Sequence, residues 1–439
     1  MRQRSLLAVL VSAAVITAAT GCGDAEVLAP SSEAAATVPT TAPSASARRL
    51  AGLSGTAPIT DITEEFQRRL LAVDDTIVDP AFAAEAYDAV VILALATELA
   101  RTDAPTKMTS EIIGVTNDGQ KCVSFADCRV LSDGQAPLDY SGQSGAIDML
   151  PSGEPGEARY GVLKFADDGT LTRLSVRSAR SPESEPGTVA PTADPTTGPP
   201  ADGILRLGII LPRAGDGAES AKAQRAGVAV AVAEINTAGG VLGDPVETVD
   251  LDAGEAPGPT SEASVTTALS KGVDAILGAG SSATTSAIAD RVLSAGVILF
   301  SSSATAETLV TDTQGLFFRN APSDALQGQV LADVIAADGY LKPILVVERG
   351  SSSELFGLQV AGGLKRLGGG ATATVLFDAN APDYDDVVAA IKGGVADSLV
   401  FLGDDRSRSR IFDGLFAAGS ITTKPPWYAG NITTTLALQ

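Results

Sequence analysis

The side chains best placed to do chemistry are two short runs of hydroxyls. Gly278-Ala279-Gly280-Ser281-Ser282-Ala283 follows an apolar strand pattern, Ala275 to Leu277, and opens a helical one. Ser301-Ser302-Ser303-Ala304-Thr305 follows the next apolar run, Val297 to Phe300. At a helix N-terminus the backbone N–H groups and the helix dipole favour negative charge. Ser281 and Ser282 beside Ser303, Ala304 and Thr305 would therefore make a small cradle for a carboxylate. Plain helix capping uses the same residue types in the same geometry, so pattern alone leaves both open. The glycine spacing also imitates a dinucleotide fingerprint with Ala in the last position. Context rejects that: this is not the first strand–helix unit of its region, and the next strand ends in serines where a ribose-binding acid would be expected.

Composition narrows the chemistry further. The 439 residues contain no histidine, so a Ser-His-Asp triad is impossible and the commonest general base and metal ligand are missing. An enzyme is the least favoured class, and neither a metal nor a cofactor is called for. The net charge of −22 argues against nucleic acid or an anionic membrane face as a partner. The N-terminus reads as an export signal over residues 1–22, with Arg2 and Arg4 before the short apolar run Leu6 to Ala18. It ends in Ala19-Thr20-Gly21-Cys22, which resembles a bacterial lipobox and implies acylation of Cys22; an ordinary secretory signal is the alternative. Cys122 and Cys128 then remain, and in an exported chain they read as one disulfide pinning a local loop, against a pair of buried thiols.

The elements that must position these groups fall into two unequal blocks. Residues 23–51 are rich in Ala, Ser, Thr and Pro and read as a flexible tether. Residues 52–180 show helical patterns over Ile62 to Val73, Phe82 to Leu99 and Thr109 to Val115. They end in a hairpin, Tyr160 to Phe165 and Leu171 to Val176, turned by Asp167-Asp168-Gly169. That is a poor independent core. Residues 181–203 form a Pro-rich linker. Residues 204–439 alternate continuous apolar strands with amphipathic helices, which means parallel sheets covered on both faces, with ligands beyond the carboxyl ends of the strands. So many strands fit two sheets better than one. The longest apolar stretch after the signal, Ala89 to Ala96, is too short to span a bilayer.

The stretch Glu234-Ile235-Asn236-Thr237-Ala238-Gly239-Gly240-Val241-Leu242-Gly243 resembles the IN-x-x-GG-x-x-G signature of branched-chain amino-acid-binding proteins of ABC importers. The two hydroxyl runs at their spacing, Phe318-Arg319-Asn320 and Leu355-Phe356-Gly357 extend the resemblance over 204–439. Residues 52–180 resemble the end of the same family, through Tyr87-Asp88-Ala89 opening an apolar helix and Leu138-Asp139-Tyr140-Ser141-Gly142-Gln143-Ser144-Gly145 before the hairpin. The resemblance implies the type I periplasmic-binding-protein fold: two α/β lobes, lobe 1 about 204–320 and lobe 2 about 321–439, with a hinge and an interlobe cleft.

It also implies residue roles. Ser282 and Thr305 fall where the family's hydroxyls hold a ligand carboxylate, with Ser281 and Ala304 beside them. Ser303 falls where a backbone carbonyl receives the ammonium, and Phe356 at the second lobe's aromatic wall. Asn431 stands where many members carry the acid that pairs with that ammonium; Asp404 or Asp405 is the substitute acid, or else a plain helix N-terminal one. The implied protein is an extracytoplasmic lipoprotein, lipid-anchored to the outer face of the membrane, that binds a small amino-acid- or amide-like solute and delivers it to an ABC permease. A ligand-sensing receptor domain and a degenerate non-binding surface lipoprotein are the alternatives. In the family the first block follows the second, so the chain reads as circularly permuted, or as a fusion of two remnants.

Overall fold

The structure is a computed structural model describing residues 50–168, 170–181, 198–215, 217–310, 313–350, 352–403, 405–417 and 426–430. The first block runs β1 (Leu53–Pro58), α1 (Glu64–Val73), α2 (Ala83–Ala100), α3 (Pro105–Gly114), β2 (Gln120–Cys122), α4 (Phe125–Asp133), β3 (Leu138–Gly142), β4 (Gly145–Ala146), β5 (Glu157–Phe165) and β6 (Leu171–Arg180). The second begins β7 (Arg206–Leu211), α5 (Ala218–Thr237), β8 (Glu247–Asp252), α6 (Pro259–Ser270), β9 (Ala275–Gly278), α7 (Ser282–Ser294), β10 (Ile298–Ser301) and β11 (Phe317–Arg319). It continues with α8 (Asp324–Ala337), β12 (Pro343–Glu348), α9 (Ser352–Arg366), β13 (Ala373–Phe377), α10 (Asp385–Gly393), β14 (Ser398–Leu402), α11 (Asp405–Ala417) and β15 (Trp427–Gly430).

The apolar runs of the second block form the strands they suggest. In β9, β10 and β14 every residue is buried, as strands covered on both faces require. Five strands, in the order β11-β10-β9-β7-β8, make an all-parallel sheet at the centre of the first lobe. Seven strands, in the order β13-β12-β14-β15-β1-β5-β6, make the sheet of the second lobe. It is parallel from β13 through β1 and antiparallel across β1, β5 and β6. The expected fold, two α/β lobes with helix-covered parallel sheets, is the one observed.

Each lobe draws on both blocks. β1 pairs in parallel with β15, Leu53 opposite Trp427, and in antiparallel fashion with β5. One core cluster joins Leu53, Phe165 and Leu171 to Ile344, Phe401 and Trp427. In the first lobe α2 is buried on every side from Ala83 to Thr97, as a helix that is apolar all round must be. It lies against α5 so closely that a Cβ on Gly227 would stand 2.1 Å from the Ala83 carbonyl oxygen.

Three crossovers join the lobes: residues 59–63 after β1, residues 147–156 after β4, and residues 320–323 after β11. The linker makes a fourth connection, and its described end is fastened to the first lobe where Asp103 accepts the N–H groups of Asp202 and Gly203.

The hairpin strands run longer than the sequence pattern suggests, to Glu157 and Arg180, because β5 and β6 keep pairing with each other, Glu157 opposite Arg180, beyond the apolar residues. α3 starts at Pro105 rather than near Thr109, with proline in the first turn where its missing N–H costs nothing. Two features carry no strong sequence signal: β1, with its Gly and Pro, and the small sheet β2-β3-β4. Cys122 and Cys128 form the expected disulfide at the edge of that small sheet.

Candidate functional site

The site is assembled where β9 and β10 end. Gly278 and Gly280 let the chain turn tightly there: a Cβ on Gly278 would lie 2.1 Å from the Ile210 carbonyl oxygen, and one on Gly280 2.5 Å from Pro212. Ser281 is the N-cap of α7 and accepts the Thr284 N–H at 3.2 Å. The Ser282 hydroxyl accepts two backbone N–H groups, from Thr305 and Ala306, each at 3.1 Å. It thereby fastens one strand-end loop to the next. With both lone pairs engaged, that hydroxyl has its O–H left to give.

In the second loop Ala304 is buried framework. Its N–H goes to the Ser301 hydroxyl and its carbonyl accepts from Arg319. The Thr305 carbonyl accepts the Asp324 N–H at 2.9 Å and its hydroxyl reaches the Asp324 carboxylate, a tie from the first lobe to the start of α8 in the second. Burial pushes the Asp324 carboxyl up, and the Thr305 hydrogen bond opposes that. The Ser303 hydroxyl is enclosed and has no partner.

Ser303 and Thr305 form one wall of a cavity of about 360 Å³ between the lobes. The opposite wall is the end of β1 and the crossover after it, Ala57 to Thr60 with Ile62. The floor comes from Asp79 to Phe82 and Glu85, at the start of α2. A smaller cavity of about 70 Å³ shares Ile59, Thr60 and Glu85, and all three crossovers line it.

Glu85 therefore sits where the cleft meets the hinge. It is 5 % exposed, accepts a hydrogen bond from the Thr60 hydroxyl on Oε1, and has no partner on Oε2. Burial pushes its carboxyl up to about 7, with the Thr60 hydrogen bond pulling the other way. Asn320 ties the third crossover to it, donating to the Glu85 carbonyl at 2.8 Å. Nearby, fully buried Arg319 pairs with Glu154 of the second crossover and donates to the Ala304 and Ala306 carbonyls. The loop carrying Ser303 and Thr305 is thus held by the hinge itself.

Phe356 lies elsewhere. It is buried in the core of the second lobe, its ring so close to the end of β15 that a Cβ on Gly430 would meet it at 2.1 Å. Cys22, Asp404 and Asn431 fall outside the described residues, and Asp405 opens α11. Sequence reasoning missed Thr60, Phe82, Glu85 and the β1 end. For Glu85 a signal existed: with Asp88 it is one of two acids opening a helix that is apolar from Ala89 to Ala96.

Among known proteins, a chemotactic signal transduction system substrate-binding protein, BasB of Halobacterium salinarum, is 28% identical over 259 residues, which cover 53% of this chain and 60% of the relative. The branched-chain amino acid transporter substrate-binding protein LivJ of Streptococcus pneumoniae, solved with isoleucine, is 28% identical at a TM-score of 0.43, covering 52% of this chain and 64% of LivJ. The leucine-binding protein LivK of Thermotoga maritima is 18% identical at a TM-score of 0.43, covering 53% of this chain and 65% of LivK. The chain spans less than two thirds of the length of each of these relatives. Residues 204–419 match the model of the periplasmic binding protein family, and this part of the chain is similar to that family.

Proposed function

We propose that the protein is an extracytoplasmic solute-binding lipoprotein of an ABC importer, taking a small polar solute of the branched-chain amino acid or amide class between its lobes. The observation that carries this reading is the cavity of about 360 Å³, bounded by strand ends of both lobes and floored by residues at the hinge. Such a cleft closes by hinge motion when a solute contacts both walls, and a closed lobe pair is what a permease receives. Ser303 and Thr305 face the solute from the first lobe, and Ser282 holds their loop and offers its remaining O–H to an anion. Acylated Cys22 and the tether from 23 to 51 anchor the protein to the outer face of the membrane. Residues 52–180 occupy the place that follows 204–439 in the family, which makes the chain a circular permutant with lobe 1 at about 204–320 and lobe 2 at about 321–439. The pairing of β1 with β15 supports this order.

A second reading keeps the cleft and changes the recipient. The name of BasB places that relative in chemotactic signalling, which favours a sensor that hands its signal to a receptor rather than its solute to a permease.

Thermal unfolding of residues 23–439 against amino acids, amides and small carboxylates tests the binding function. One solute class is expected to raise the melting temperature, since a solute at a hundredfold excess over its Kd contributes about 2.7 kcal/mol. A cooperative melt that no solute moves would contradict the proposal.

A further inference from the structure

The unpartnered groups of the cleft share one character. Glu85 Oε2, Ser303 Oγ and Asn320 Oδ1 are all buried oxygens without a donor. Glu85 and Ser303 line the larger cavity, and Glu85 and Asn320 line the smaller one. Buried acceptors left without donors are costly and rare, so three of them on two cavities that meet at Glu85 point to a visitor that brings N–H groups. An ammonium carries three donors and no acceptor, and charge-assisted contacts to a carboxylate are about twice as strong as neutral ones. Among the described residues no group of three metal-ligating side chains gathers here, which favours a compact organic cation over a metal ion.

We propose that Glu85 is the cation-recognising group of the cleft and takes the ammonium of the solute, with Ser303 and Asn320 completing the contact. This inference rests on the binding reading above and moves the acid from β14 and β15, where the resemblance to known binding proteins placed it, to the first turn of α2. It also gives binding a route to the hinge. Glu85 is hydrogen-bonded to Thr60 of the first crossover and through its carbonyl to Asn320 of the third, so a cation at Oε2 acts on a residue tied to both pivots.

The test uses residues 23–439 with a panel of amino acids, each with its matched deaminated acid and decarboxylated amine; for L-leucine these are 4-methylpentanoate and isopentylammonium. Calorimetric titration of the wild type is expected to give an amino acid at least tenfold tighter than its deaminated acid. Glu85→Gln is expected to abolish that preference, weakening the amino acid at least tenfold more than its deaminated acid, while Glu85→Asp restores part of it. Equal loss for amino acid and deaminated acid in Glu85→Gln would mean a structural role and overturn the proposal. A wild type that binds the deaminated acid as tightly as the amino acid would overturn it too, leaving the binding function intact. Binding of no probe by the wild type would overturn the binding reading and this inference with it.

Discussion

Burying Glu85 makes the empty protein's stability depend on pH in a direction that can be worked out. Its carboxyl has an ordinary value of 4.5 and is pushed up to about 7 in the fold. Between those values the folded chain holds a proton that the unfolded chain has released. Stability from this group is therefore fully present below about 4.5 and is lost as pH rises through about 7. Asp274, raised from 3.8 to about 8 by burial, slopes the same way. Glu85 is also faced by Asp88 on its own helix and by Glu157 and Arg159 of β5 across the small cavity. Glu85→Gln removes one titration and nothing else of that list. Its melting temperature is thus expected to gain on the wild type between pH 5 and pH 8, checked by calorimetry at fixed ionic strength. A difference that does not change with pH would contradict the burial argument. The hydroxyl runs were legible at this scale because strand-end serines and threonines have a local pattern. Glu85 showed only as an acid in an apolar helix; its place at the hinge was not legible, because its partner Asn320 stands 235 residues away and only the fold brings them together.

At the scale of elements, the contact between α2 and α5 is the most sensitive joint between the blocks. Gly227 is there because the backbone of Ala83 leaves no room for a side chain. Gly227→Ala is expected to force the helices apart and cost about 1–3 kcal/mol, read from chemical denaturation. No change in unfolding free energy would mean the helices do not meet so closely. The parallel strands and α2 were readable because continuous burial demands continuous apolar sequence. β1 was not readable, since Leu53-Ser54-Gly55-Thr56-Ala57-Pro58 owes its strand conformation to neighbours on both sides rather than to propensity. Yet β1 supplies a wall of the cleft. The part of the site least visible in the sequence is the part held only by tertiary pairing.

For the molecule as a whole, chain order and spatial order disagree. β1 is the first strand of the described chain and sits inside a seven-stranded sheet, between β15 and β5, whose other parallel strands come last. Parallel neighbours in one chain need a crossover of a dozen or more residues, and here strands from opposite ends of the described chain lie side by side. Neither lobe is complete without both blocks: the sheet of the second lobe loses β1, β5 and β6, and the first lobe loses the buried helix α2. The two blocks should therefore unfold as one unit. Native-state hydrogen exchange of residues 23–439 measures this directly. The account expects the amides of β1 and β5 to exchange with the same opening free energy as those of β12 and β14, all through global unfolding. Fast exchange of β1, β5 and β6 beside a protected β7 to β15 would contradict it, because residues 50–181 would then be an appendage rather than the missing part of one binding protein.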